Sequence, residues 1–214
     1  NFSSSTDSYN TAVGSKAGLS VTTGTNNTLI GSLSGDAITD ADSNVAVGYG
    51  SLTTNTLGSK SIAIGQGTLS DQNPASAADM HNVAVGFNAG SNVTTGTQNT
   101  IVGGLAGDAL LNASNVVAMG YKALSTDTKG FGSVAIGNQA LENQNFTSNT
   151  DTFNTAVGYF AGNDVTTGIQ NTIVGAFSGD ALTVGGNNTA VGYLALTTDT
   201  QGSKSTAIGT QALN

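Results

Sequence analysis

The chain contains no cysteine, no tryptophan and no arginine, one proline, one histidine and one glutamate. Without cysteine there are no disulfides and no thiolate metal sites. Without arginine, and with a formal net charge of −8, the chain has little means of neutralising phosphates, which argues against nucleic acid and anionic membrane surfaces as partners. A single histidine (His81) and a single glutamate (Glu142) leave no convergent set of acid–base groups, so the sequence reads as non-enzymatic, with no cofactor and no metal. No apolar run approaches the ~18 residues of a membrane helix, so no membrane insertion is expected in this segment. Charged residues make up only 8% of the chain, which separates it from the highly charged compositions of disordered proteins. What remains is rich in Gly, Ser, Thr, Asn and Ala, with frequent Val and Ile that suit strands.

These residues are arranged in a repeat. Five-residue units such as NTAVG (10–14), NTLIG (27–31), NVAVG (44–48) and SIAIG (61–65) recur to the end of the chain. They close on Gly14, Gly31, Gly48, Gly65, Gly86, Gly103, Gly120, Gly137, Gly158, Gly175, Gly192 and Gly209. The spacings run 17, 17, 17 and 21 residues, then repeat, so the pattern renews itself every 72 residues. This gives one repeat domain over 1–214, with super-repeats at 10–81, 82–153 and a shortened 154–214. Four residues after each closing glycine the residue reads Gly, Gly, Leu, Leu, three times over, from Gly18, Gly35, Leu52 and Leu69 to Leu213.

Residues two apart in each unit, such as Val45 and Val47, share one face of a strand, with Ala46 on the other. The closing glycine then permits a turn at positive φ. Seventeen residues suit two short strands and two turns, and stacking equivalent segments makes the sheets parallel. The expected fold is therefore all-β: a parallel β-solenoid of twelve coils. The four extra residues of the long coils are expected in loops near 70–81 and 142–153, the first holding Pro74 and His81.

Such a core is thin. Each coil offers about three sizeable apolar side chains, such as Val13, Leu19 and Val21, worth ~1.5–3 kcal/mol apiece, which barely offsets the ordering entropy of the coil. The sequence thus predicts lateral association, as a homotrimer or another homo-oligomer. Ala12, Ala46, Ala63, Ala84, Ala135, Ala156, Ala190 and Ala207 are expected near the subunit contact, the alternative being that they face a narrow interior.

The units SVAIG, SIAIG and NVAVG, each followed by a small residue and a turn, resemble the head repeats of trimeric autotransporter adhesins (YadA-like heads), and are similar to arrays in phage fibres and other surface proteins. The resemblance covers nearly the whole chain, though the coils here are a few residues longer than is usual in that family. It implies a left-handed parallel β-roll, three chains wide, displayed outside a cell or on a virion, as a segment of a longer fibre. Its function would be attachment or surface display, with a host-surface glycan or protein receptor as partner. The alternative is a purely structural filament or a bacteriophage tail-fibre shaft.

Two further rows stand out. Tyr49, Tyr121 and Tyr193 share the position after the closing glycine and are candidate ligand contacts, able to stack on sugar rings or to cover a seam. Asp36, Asp108 and Asp180 recur as GDA and read as turn carboxylates bonded to nearby amides. Four coils separate them by ~19 Å, so they cannot share one cation.

Overall fold

The structure, a computed structural model, describes residues 7–214. Twelve three-residue strands, from Thr11–Val13 to Thr206–Ile208, lie side by side in a single parallel sheet in chain order. Like pairs with like: Val45, Ala46 and Val47 face Ile62, Ala63 and Ile64. The chain therefore advances by one coil per repeat, a parallel β-solenoid of about twelve turns. At ~4.8 Å per strand the rod is about 53 Å long.

Each coil contributes one strand, not two. The reason lies in the backbone: three positions per coil sit in the left-handed region, as at Lys16 (φ 60°), Gly18 (φ 60°) and Asn26 (φ 59°) in the first. No extended segment persists through such bends. The remainder of the coil is still laddered to its neighbour, with Gly18 N donating to Ser34 O at 3.0 Å and Thr22 N to Thr39 O at 3.0 Å. Only the long coils add a second pairing, Gly58–Ser59 with Ala78–Asp79 and Gly130–Phe131 with Thr150–Asp151. The extra segments thus lie where expected but are partly sheet-bound, and Met80 and Phe146 within them are buried.

The closing glycines all adopt φ between 122° and 145°. A Cβ on Gly103 would lie 2.5 Å from the carbonyl oxygen of Gly120, the equivalent glycine one coil on. The column is thus a backbone-on-backbone contact that no side chain can enter.

The interior explains the Gly-Gly-Leu-Leu order. Three inward positions per coil share one small cross-section: the strand centre, the residue four after the glycine, and the residue seven after it. In the middle super-repeat they read Ala84, Gly90, Val93; then Ile101, Gly107, Leu110; then Ala118, Leu124, Asp127; then Ala135, Leu141, Gln144. Every one is buried. Bulk moves around the cross-section from coil to coil, and the smaller Ala84, Gly90, Val93 coil is filled by Leu69 and Ile101 of its neighbours, which close on Gly90. Where Ile101 and Leu110 fill the space, a Cβ on Gly107 would come within 2.7 Å of Leu110 Cδ1.

Two expectations are corrected here. Val13 and Leu19 are surface residues, 58% and 66% exposed, and Val21 is only partly buried. Conversely Ala46, Ala63, Ala84, Ala135, Ala156, Ala190 and Ala207 point into the coil and are fully or almost fully buried, out of reach of a second chain, while Ala12 in the first coil is exposed. Only the middle residue of a three-residue strand points inward, and the turns supply the larger core side chains, leaving room there mostly for alanine.

An asparagine ladder completes the frame. Asn27 is fully buried. Its Nδ2 donates to Ala41 O at 2.8 Å, and its Oδ1 accepts from Asn44 N at 3.0 Å. Asn44, Asn82, Asn99, Asn154, Asn171 and Asn188 repeat both bonds. Each amide bridges successive coils where the sheet hydrogen bonds end.

Candidate interaction surface

Because the middle residue of every strand points inward, its two neighbours point outward. The last outward position is occupied by Val, Ile or Met in all twelve strands, from Val13 through Met119 to Ile208. The first is Thr, Val or Ile in all twelve. The outer face of the main sheet is therefore an uncharged apolar stripe running the length of the rod. Ile30, Ile64 and Met119 are 38–39% exposed in mid-rod, and the end residues Val13 and Ile208 are more so.

Aromatic side chains border this stripe, one residue past the closing glycine. Tyr49, Tyr121 and Tyr193 are 50–57% exposed, as are Phe87 and Tyr159 at the same position in other coils. They occupy every second coil from the third to the eleventh, with Gln66, Gly104, Asn138 and Ala176 in between. Lys122 Nζ lies 5.9 Å from the Tyr121 ring centre. In the last super-repeat two further rings join them. Tyr159 and Phe160 lie 4.5 Å apart, Phe160 stacks on Phe177 at 5.7 Å, and Phe177 meets Tyr159 edge-on at 5.3 Å and Tyr193 edge-on at 6.4 Å. Phe160 and Phe177 sit at left-handed turn positions (φ 56° and 54°) held elsewhere by residues such as Lys16, Gly50 and Lys122. The sequence row of tyrosines is visible without a structure; the clustering with Phe160 and Phe177 is not, since neither obeys the repeat.

The carboxylates do not converge. Asp36 accepts from the Thr53 hydroxyl at 2.6 Å. Burial pushes the Asp108 and Asp180 carboxyls above the usual range, and Oδ1 of each is buried without a hydrogen-bond partner. An open recess of about 460 Å³ is lined by Asp40, Asp42, Ser59, Ala77, Ala78 and Asp79. Its acids are already engaged: Asp42 accepts from Thr25 N at 2.6 Å, Asp40 from the Thr23 hydroxyl, and Asp79 is paired with Lys60 at 2.6 Å, which holds its carboxyl below the ordinary value. Among the described residues no group of three or more His, Cys, Asp or Glu is arranged to hold a metal. His81 is exposed, and Glu142, in the next super-repeat, is tied to Lys122 at 3.5 Å. No helix among the described residues is long and apolar enough to cross a membrane.

The surface with the strongest physical signature is therefore the apolar stripe and its aromatic border, a surface suited to contact. No family model, no curated protein and no solved structure matches the chain.

Proposed function

We propose that this chain is a non-enzymatic segment of an extracellular fibre or adhesin: a left-handed β-roll that associates as a homotrimer and mediates attachment or display at a cell or virion surface. The apolar stripe carries this reading. At about 53 Å long and roughly 10–12 Å wide it offers on the order of 600 Å², at or beyond the largest apolar patch of an ordinary monomer and approaching the ~800 Å² per partner of a stable interface. A three-fold axis along the rod lets three such stripes share one dry core and leaves the other faces of each coil to solvent. The contact so proposed uses the Val, Ile and Thr face rather than the alanines.

Light scattering tests the assembly: the expected mass is about three times the 21.1 kDa of one chain, and a stable monomer overturns it. Adhesin and shaft separate on binding. The half-exposed Tyr49, Tyr121 and Tyr193 favour a contact role, so saturable binding of the isolated segment to a glycan array or to host-surface protein is expected. A segment that assembles but binds nothing is a structural filament or a phage-fibre shaft.

A further inference from the structure

A rod whose contact surface repeats has a problem of register. The apolar stripe is nearly the same in every coil, so two copies sliding along each other by two coils, about 9.6 Å, or by four, about 19 Å, lose only the overhang. A one-coil slip is different, because it sets the bordering aromatics of alternate coils against one another's neighbours. Repetitive flat strands are poorly specified in register unless some feature breaks the repeat. A staggered pair also leaves bare stripe at both ends, which recruits further copies and turns a closed oligomer into an open polymer.

One feature of the stripe's border breaks the repeat. At the two positions after the closing glycine, the first three coils of the first super-repeat carry Ser15 and Lys16, Ser32 and Leu33, and Tyr49 and Gly50. The same coils of the last carry Tyr159 and Phe160, Ala176 and Phe177, and Tyr193 and Leu194, with no charge among them. Four of these rings are in mutual contact at 4.5–6.4 Å, a continuous aromatic patch three coils long. Tyr159 and Tyr193 are half-exposed although their ring neighbours already cover part of them. The patch begins one residue beyond Val157, Gly158 and the equivalent residues of the next two coils, so it is continuous with the stripe.

We infer that the cluster of Tyr159, Phe160, Phe177 and Tyr193 fixes the register in which copies of this chain pack along their apolar stripes. The inference rests on the lateral self-association proposed above. The occupant of the patch is a second copy at the same level: aromatic residues free of charge mark interface centres, and only an unshifted neighbour brings its own cluster to the same level of the shared seam. A copy shifted by four coils would bring Phe87, Asn88, Leu105, Tyr121 and Lys122 to that level instead, adding a lysine and an amide to the seam.

The double variant Phe160→Asn, Phe177→Leu tests this. It gives the last super-repeat the residues the middle one already carries at the same left-handed positions, Asn88 (φ 51°) and Leu105 (φ 56°), so the coil is expected to fold. Sedimentation of the native chain should give one closed species whose mass is independent of concentration. The double variant, with an unchanged circular dichroism spectrum, should give a broad set of larger species, its weight-average mass rising roughly twofold or more over a tenfold concentration range as staggered chains recruit others. Val184→Ser, at an exposed apolar residue of the same super-repeat outside the stripe, should leave the closed species intact. A native monomer overturns the self-association itself. A native closed oligomer that the double variant reproduces overturns the register role alone. Dissociation of the variant to monomers assigns the rings to affinity, and oligosaccharide binding lost in the variant at unchanged assembly assigns them to a ligand; either overturns the inference.

Discussion

The side-chain amide of Gln144 donates to the carboxylate of Asp127 at 2.7 Å, both residues fully buried. One super-repeat earlier the same pair is Gln72 and Asn55. There the Asn55 amide turns to Gly58 O at 2.7 Å, and Gln72 Nε2 is buried without a partner. Two equivalent sites thus make opposite compromises, one burying an acid and the other stranding a donor.

The buried acid should be visible in the pH dependence of stability. Burial raises the Asp127 carboxyl above its ordinary value, against the hydrogen bonds from Gln144, Phe146, Gly130 and Lys129. The folded chain then holds a proton that the unfolded chain has released. Stability from this group is full below the unfolded value near 3.9 and falls as pH rises through the higher folded value. Asp127→Asn should remove that component. Urea midpoints measured from pH 3 to 8 check it, as the difference between native and variant. A difference that grows in the native chain's favour as pH rises counts against the assignment.

The glycine column makes a sharp contrast between adjacent residues. Gly103→Ala places a Cβ 2.5 Å from Gly120 O at φ 133°, and should cost about 3 kcal/mol or more or prevent folding. Gly104→Ala meets nothing nearer than Tyr121 Cδ2 at 3.7 Å and should change stability by less than about 0.5 kcal/mol. Chemical denaturation of the two variants distinguishes them.

The exchange of bulk within a coil predicts rescue. Ile101→Ala should leave a cavity costing about 2–5 kcal/mol. Adding Gly107→Leu moves the bulk to the position that Leu124 fills beside Ala118 at the same left-handed backbone (φ 53° against 51°). It should recover more than half of the loss, a non-additivity that a thermodynamic cycle measures.

Inside and outside of the strand should separate stability from assembly. Ala118→Val overpacks a fully buried position and should cost about 1–3 kcal/mol without altering the oligomer. Met119→Glu, next to it but 38% exposed, should dissociate the proposed assembly at unchanged circular dichroism. Sedimentation and denaturation of both variants give the four readings needed.

The repeat, the solenoid and the place of every closing glycine are legible in the sequence, because periodicity records stacking and glycine records a backbone conformation. Facing is not legible. In Val45-Ala46-Val47 the alternation defines two faces but not which one is enclosed, and hydrophobicity points to the valines. The structure encloses Ala46, because the coil is too narrow for more and Leu52, from the following turn, fills the remainder. Nor does composition reveal that Asn27 and Asn44 are core residues, since the same amides are common in exposed turns. Of the contact surface, Tyr49, Tyr121 and Tyr193 follow the repeat and can be read from it. Phe160 and Phe177 depart from it, and their significance appears only when neighbouring coils are brought together.

The long coils have a mechanical consequence. Strand pairing passes straight from Ile62 to Val83, in the same register as between 17-residue coils, so the added residues project sideways without lengthening the rod. Axial length is therefore counted in coils, not in residues. Reach and ornament become independent: that corner of every fourth coil can grow outward while the distance between the two ends stays fixed.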